Sequence, residues 1–493
     1  MFFILFSICL ILFYVFDEIV TPRGYPKGPT RLPLIGSYLK IRNLRNKLGF
    51  YHLVWAHLAK KYGPVFSIKF GQMETVVVSG YDLVKQVLCH DDFDARPDKY
   101  FFRFRAFYQK LGIVFVDGPG WLEQKKFNMH HIRSKRYGTH LMEVLIYDEV
   151  DKLILNLNSQ CENGKPIKVS SLFDISVFNG LWILLVGHKF ELNDTRLKKL
   201  LELVHASYRM INMSKGILYQ IPFIRYFAPK RSGYKNIKQI SNEFYTFLKE
   251  LVDENRDQIY DPNNFIGAFL MEIDQNRESS KSFSEEQFLV LLLDLFLADT
   301  ETTSSMLTFV ILNLIKHPDV QAKVYDELDS VIGQRNIHLE DQRKLNYLTA
   351  VLMEVQRYSN VAPLAIAYRA VRNTHLQDFI IPEDTMILAS IWSVHMDIEH
   401  WGDPESFRPE RFLNSNGKIV NDTWRMPFGL GSRRCLGEPM GKATLFLFIA
   451  KIVQQFELKA PRGVQLPDKY QEECITISPS EYSAIFIPRP NVY

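Results

Sequence analysis

"FGLGSRRCLG", residues 428–437, places one cysteine among three glycines and two arginines. A cysteine that only fills space sits among apolar side chains. One that must stay ionised needs cations, N–H donors and a backbone able to come close. Cys435 has that company. If it binds iron as a thiolate, Gly437 lets the chain close around the sulfur, and a helix beginning near Leu436 aims its first N–H groups at it. Gly429 and Gly431 allow a tight turn before the ligand, Arg433 can meet a carboxylate of a bound cofactor, and Phe428 can shield the sulfur. Each feature alone is ordinary, since Gly-rich turns before helices are common and a lone Cys is more often inert packing. Their conjunction is specific.

The rest of the chain provides a body large enough to enclose such a site. Its 493 residues are 47% hydrophobic and 23% charged with 36 Phe, a globular composition able to line an apolar pocket and one that excludes a disordered or collagenous chain. A net charge of +4 gives no support to bulk nucleic-acid binding. Five cysteines, an odd number without CxxC spacing, suggest neither a zinc site nor a disulfide framework and fit a reducing compartment.

Residues 1–16, "MFFILFSICLILFYVF", carry no charged side chain, and Asp17 and Glu18 follow. A bilayer span usually takes roughly 20 apolar residues, with about 17 the lower end, so this run spans with local thinning and Tyr14 as interfacial anchor. It lacks the basic start and small-residue cleavage site of a signal peptide, and we expect a retained anchor over residues 1–20. Arg23, Lys27 and Arg31 follow it, which orients the body to the cytosol. Pro22, Pro26, Pro29 and Pro33 make residues 21–36 a stiff, extended hinge.

Residues 37–493 then read as one large domain, mainly α with a smaller β region. Short strands are expected at "PVFSIKF" (64–70) and "ETVVVSG" (74–80), and helical signals dominate from about residue 140. The longest helix is expected from Glu285 to His317, ended by Pro318. Asp294, Asp299 and Glu301 near its middle make a membrane span costly, so it belongs in the centre of the domain.

The cysteine stretch resembles the FxxGxRxCxG loop of the cytochrome P-450 haem-thiolate monooxygenases through Phe428, Gly431, Arg433, Cys435 and Gly437. "EVQR" is similar to the family's ExxR through Glu354 and Arg357, and "FRPERF" to its PERF segment, which adds Arg411. The resemblance implies the family's fold, with a central long helix and a Cys-ligand loop, and haem b with Cys435 as axial ligand. It also implies a buried Glu354–Arg357–Arg411 cluster that serves folding. "ADTETTS" (298–304) resembles the oxygen-activation segment and implies proton-moving roles for Glu301 and Thr302, with Asp299 where the family has glycine. On the residues alone, a helical threonine often bonds back to its own carbonyls.

For the haem carboxylates the resemblance implies Arg433, Lys125 with Trp121 from "WLEQK", Arg96 from "FDARPD", and Arg369 from "AYRA", where Ala367 and Tyr368 replace proline and histidine. Solvated surface charge is the plainer reading of any one of these cations. The chain has no convincing nicotinamide, flavin or Walker sequence of its own. The resemblance therefore implies an NADPH-dependent cytochrome P-450 reductase, or cytochrome b5, docking near Lys125, Lys126, Arg133, Lys135 and Arg136. The anchor, "HPDVQAKVYDELDSVIG" (317–333) and "DPESFRPERF" (403–412) are similar to the microsomal branch, facing the cytosol from the endoplasmic reticulum. Residues 96–121 most resemble arthropod members, which include methyl farnesoate epoxidases and detoxifying enzymes. Phe101, Phe102, Phe104 and Phe107 there suggest a lipophilic substrate or, equally, core packing. The function implied is oxygen insertion into a lipophilic small molecule. A haem-thiolate isomerase or dehydratase of peroxides and a non-catalytic haem sensor are the alternatives.

Overall fold

A helix of 32 residues, Glu285–Lys316, runs through the interior and the rest of the chain packs around it. It contains neither Gly nor Pro, Ser284 caps it by accepting from the Gln287 N–H, and Pro318 opens the next helix one residue beyond its His317 C-cap. The computed structural model describes residues 21–133, 139–161, 164–187, 194–210, 218, 221–256, 264–275, 282–468 and 476–489.

We number the longer helices α1 (Tyr38–Leu48), α2 (Tyr51–Tyr62), α3 (Tyr81–Cys89), α4 (Gly118–Arg133), α5 (Thr139–Gln160), α6 (Asp174–Val186) and α7 (Thr195–Met210). There follow α8 (Tyr234–Arg256), α9 (Phe265–Gln275), α10 (Glu285–Lys316), α11 (Pro318–Val331), α12 (Asn346–Ser359) and α13 (Glu438–Gln455). The central α10 packs against α6, α7, α8, α12 and α13. Among the described residues it alone is long and apolar enough to cross a membrane, and most of its apolar window is buried inside the protein.

The strands are β1 (Val65–Phe70), β2 (Met73–Val78), β3 (Ile167–Lys168), β4 (Tyr368–Arg369), β5 (Thr374–Leu376), β6 (Phe379–Ile381), β7 (Met386–Ala389), β8 (Phe456–Lys459) and β9 (Ser483–Pro488). The main sheet has order β1-β2-β7-β4, parallel only between β2 and β7, with Phe66 opposite Val77. Period-two alternation sends Val76, Val78 and Ile387 to one apolar cluster and Phe66, Ile68, Val77 and Leu388 to another, so both faces are covered. A second sheet, β3-β9-β8, and the hairpin β5-β6 complete the β region.

Residues 21–36, expected as a stiff, extended hinge, lie against the sheet: Tyr25 and Arg31 are buried, Arg31 pairs with Glu74, and Ser67 Oγ donates to the Pro26 carbonyl. A proline-rich strand has few N–H groups to lose, so it lies against β1 without breaking a ladder. Helices also precede residue 140, at α1, α2, α3 and α4. The helix after the cysteine starts at Glu438, with Gly437 as N-cap, rather than near Leu436. The expected anchor, residues 1–20, lies outside the described residues.

Candidate active site

The loop 428–437 folds back on itself through one hydrogen bond, the Cys435 N–H to the Phe428 carbonyl at 2.9 Å. Gly431, at φ 69°, lies where an added β-carbon would sit 2.1 Å from the Leu88 carbonyl oxygen, so the loop touches α3 only because this residue is glycine. Beyond Cys435, the backbone N–H groups of Gly437 and Glu438, at the start of α13, act to lower the thiol pKa. These donors and the helix dipole favour the thiolate. Burial opposes them and is the larger effect, so the thiol pKa is raised, with the charges of Glu438 and Asp299 adding to the rise. Cys435 is nevertheless exposed by surface area. Both hold if the sulfur faces a recess walled by protein, across which lies Asp299 of α10. Glu438 is in turn neutralised by Arg434 and Lys442, at 2.5 and 2.7 Å.

Arginines gather at one edge of this recess. Arg433 donates to Asp94 Oδ1 (2.9 Å), the Asp94 carbonyl (2.8 Å) and the Val116 carbonyl (2.8 Å), and its guanidinium lies 3.5 Å from the centre of the Trp121 ring. Trp121 is buried and carries Lys125 at 4.9 Å; the Lys125 ammonium donates to the Ser432 carbonyl at 2.5 Å. Lys125 therefore braces the ligand loop. Arg96 is buried, donates to the Ile366 and Ala367 carbonyls, stacks 4.6 Å from the Tyr368 ring, and leaves its Nε without a hydrogen-bond partner among the described residues. Burial lowers its pKa to about 10, which still leaves it charged. Arg369 is held by Asp117, Asp384 and the Arg96 carbonyl, so protein groups occupy its fork. Phe428 packs its ring beside Gly441 and Lys442 on the first turns of α13.

On α10, Thr302 donates to the Ala298 carbonyl at 2.7 Å, the local bond open to any helical threonine. Asp299 has one carboxylate oxygen buried without a hydrogen-bond partner among the described residues, and burial pushes its pKa up to about 7. Glu301 turns to α7, where its Oε2 is 2.8 Å from His205 Nδ1. His205, Asp94 and Asp117 were not singled out in the sequence. Each meets its partner across a long stretch of chain, and no local spacing marks it. Of the expected docking cations, Lys125 is engaged as described, the side chain of Arg133 and all of Lys135 and Arg136 lie outside the described residues.

Behind the loop, Glu354 of α12 receives Arg357 at 2.8 Å through each of its two oxygens and Arg411 at 3.0 Å. Glu354 and Arg357 are fully buried. The remaining guanidinium donors reach the carbonyls of His395, Trp401, Asp403 and Ser406. This cluster ties α12 to the 3₁₀ turn Pro409–Phe412.

Among the described residues no three His, Cys, Asp or Glu side chains come together as a metal cage. A metal here takes one protein ligand and draws the rest of its shell from a ring. One sulfur at a helix N-terminus, a long helix across from it and a buried arginine Nε without a partner at the edge fit a porphyrin with carboxylate arms.

The cytochrome P450 family model matches residues 26–486. Farnesoate epoxidase of Bombyx mori is 36% identical over 490 residues, 98% of each chain. Probable cytochrome P450 305a1 of Drosophila melanogaster is 34% identical over 481 residues, 95% of each chain. Cytochrome P450 2C23 of Rattus norvegicus is 32% identical over 493 residues, 98% of this chain and 97% of its own. The chain belongs to the cytochrome P450 family, oxidoreductases that bind haem b through a cysteine thiolate.

Proposed function

We propose that the protein inserts one oxygen atom of dioxygen into a lipophilic small molecule of terpenoid or fatty-acid type, with electrons from NADPH through a reductase partner. The observation that carries this reading is the sulfur of Cys435 at the start of α13, where the N–H groups of Gly437 and Glu438 favour the thiolate and the charge of Asp299 reaches it. When bound, haem supplies the iron at which dioxygen is reduced. Cys435 would hold the iron as thiolate, with Gly437 in ordinary contact beside the sulfur. Arg96, through the Nε it leaves without a partner among the described residues, and Arg433 would hold the haem carboxylates, Trp121 and Lys125 brace Arg433 and the loop, and Arg369 holds the Asp117 that accepts the Arg96 N–H. Glu301, held beside α7 by His205, and Thr302, once it leaves the Ala298 carbonyl, move protons along the α10 surface.

The substrate class is supported by a cavity of about 240 Å³, apart from the Cys435 loop and α10, lined mainly by apolar and aromatic groups, among them Phe70, Tyr100, Phe104, Leu218, Phe223 and Ile237. It is supported too by the 36% identical relative named for farnesoate. Residues 1–20 anchor the protein in the endoplasmic reticulum membrane with residues 37–493 on the cytosolic face, a reading that rests on the uncharged run of residues 1–16 and the basic residues after it.

The test is the reduced carbon monoxide difference spectrum of the purified protein. The parent shows the red-shifted Soret band of thiolate ligation and Cys435→Ala lacks it; a normal band in the variant overturns the ligand assignment. Conversion of farnesoate, another terpenoid or a fatty acid only when reductase and NADPH are present separates a monooxygenase from a peroxide isomerase and from a haem sensor.

A further inference from the structure

His205 stands on α7, outside every motif, with its imidazole between two carboxylates. Nδ1 is 2.8 Å from Glu301 Oε2 on α10, and Nε2 is 3.3 Å from Asp174 Oδ2 at the first position of α6. A neutral imidazole has one N–H and can serve one of these acceptors; the imidazolium serves both. The geometry therefore calls for a charged ring. Hydrogen bonds to Asp174 and then Glu301 raise its pKa against the opposing effect of burial, to about 10.

The charged groups facing the ring are Asp174 from α6 and Glu301 from α10. Helix α8, also packed on α7, buries Phe244, Phe247, Leu248, Leu251 and Val252. Its ion pair with α7, Arg196 to Glu254, lies two and a half turns from His205, on the order of 13 Å along the axis. Asp299 of α10 titrates near 7, well below His205, so the two events are separable.

We propose that His205, backed by Asp174, is the positioning residue of Glu301: as an imidazolium it keeps that carboxylate turned to α7, so the acid acts only from the place α7 gives it. The proposal rests on the proton-moving role read for Glu301 above and names what controls that role. Three helices contribute one group each, so the link also sets the spacing of α6, α7 and α10 beside the recess. The sign of its pH dependence follows from the raised pKa. The interaction is intact below the ordinary histidine range and is lost as pH rises through about 10.

Two measurements on the holoenzyme test it. In the first, product formed per NADPH consumed is followed from about pH 6 to about pH 10 with reductase and farnesoate as probe. The parent loses coupling only toward the alkaline end. His205→Ala lowers coupling about tenfold at neutral pH and removes the alkaline step, and His205→Lys, which restores a cation, recovers most of it. In the second, ring nitrogens of ¹⁵N-histidine are titrated by NMR in the ferrous carbonmonoxy protein, a readout independent of turnover. His205 keeps both ring protons at about pH 8, and Asp174→Asn or Glu301→Gln returns it toward the ordinary histidine range.

A neutral His205 at that pH overturns the proposal. So does a His205→Ala enzyme that retains parental coupling and pH profile while Glu301→Gln uncouples. A fully coupled Glu301→Gln enzyme overturns the proton role itself, and the proposal with it, even when His205 is charged. Should His205→Ala fail to fold, the titration of the parent still decides.

Discussion

Gly431 combines a left-handed backbone with a carbonyl at 2.1 Å from where a β-carbon would stand. Gly431→Ala must move either the ligand loop or α3, at a cost above about 1 kcal/mol. We expect a lower melting temperature and less haem per protein in the pyridine haemochrome assay, with an unshifted carbonmonoxy band in the fraction that loads. Asp299 behaves in the opposite sense to a paired carboxylate. Its folded pKa, about 7, lies above the ordinary aspartate value of 3.8, so the fold binds its proton more tightly and loses stability as pH rises from about 4 to about 7. Asp299→Asn removes that slope: thermal melts show the variant gaining on the parent above neutral pH and matching it in acid. The loop glycines, Arg433 and Cys435 were legible because they lie within ten residues of one another and each answers a local need of a thiolate. The Asp94 that holds Arg433 was not, since an ion pair across 339 residues leaves no mark in spacing.

Helix α12 meets the Pro409–Phe412 turn through Glu354, which has no solvent to fall back on. Removing it in Glu354→Ala strands two buried guanidinium groups and costs roughly 3 to 5 kcal/mol, read as a lower urea midpoint and low yield of folded protein. A second clamp works on the segment between β2 and α4. Asp294 of α10 accepts the Ile113 and Val114 N–H groups and pairs with Arg105, while Gln287 bonds both the N–H and the carbonyl of Gly112. Asp294 was read from sequence only as evidence against a membrane span. Burial at 2% with three partners explains how an acid is tolerated there. The long α10 was legible from its uninterrupted apolar pattern. The start of α13 was misplaced because Gly437 serves as its cap and Pro439 fits the first turn, a distinction that composition near Leu436 does not make. Helices α1 and α2 are short and separated by Gly49, at φ 87°, and so fall below the length at which periodicity speaks.

At the scale of the molecule, the proline-rich residues 21–36 dock on the edge strand β1, on Glu74 of β2 and on Ile380 of β6. The sequence showed their stiffness but not their docking, which depends on Ser67, Glu74 and Lys69 far along the chain. The cavity beside them has Phe104 in its wall, 5.6 Å from the Tyr234 ring. If lipophilic ligands pass this wall, Phe104→Ala weakens type I spectral binding of farnesoate about tenfold, the loss expected for one aromatic contact, while leaving the carbonmonoxy spectrum unchanged. Trp121, finally, lies flat under Arg433 at the rim of the recess and is 5% exposed. With haem held beside Arg433, this indole would hand its excitation to the porphyrin ring instead of emitting. The dimming of its ultraviolet glow gives a built-in gauge of cofactor loading, usable during refolding or in crude membranes, where absorbance is obscured by scatter.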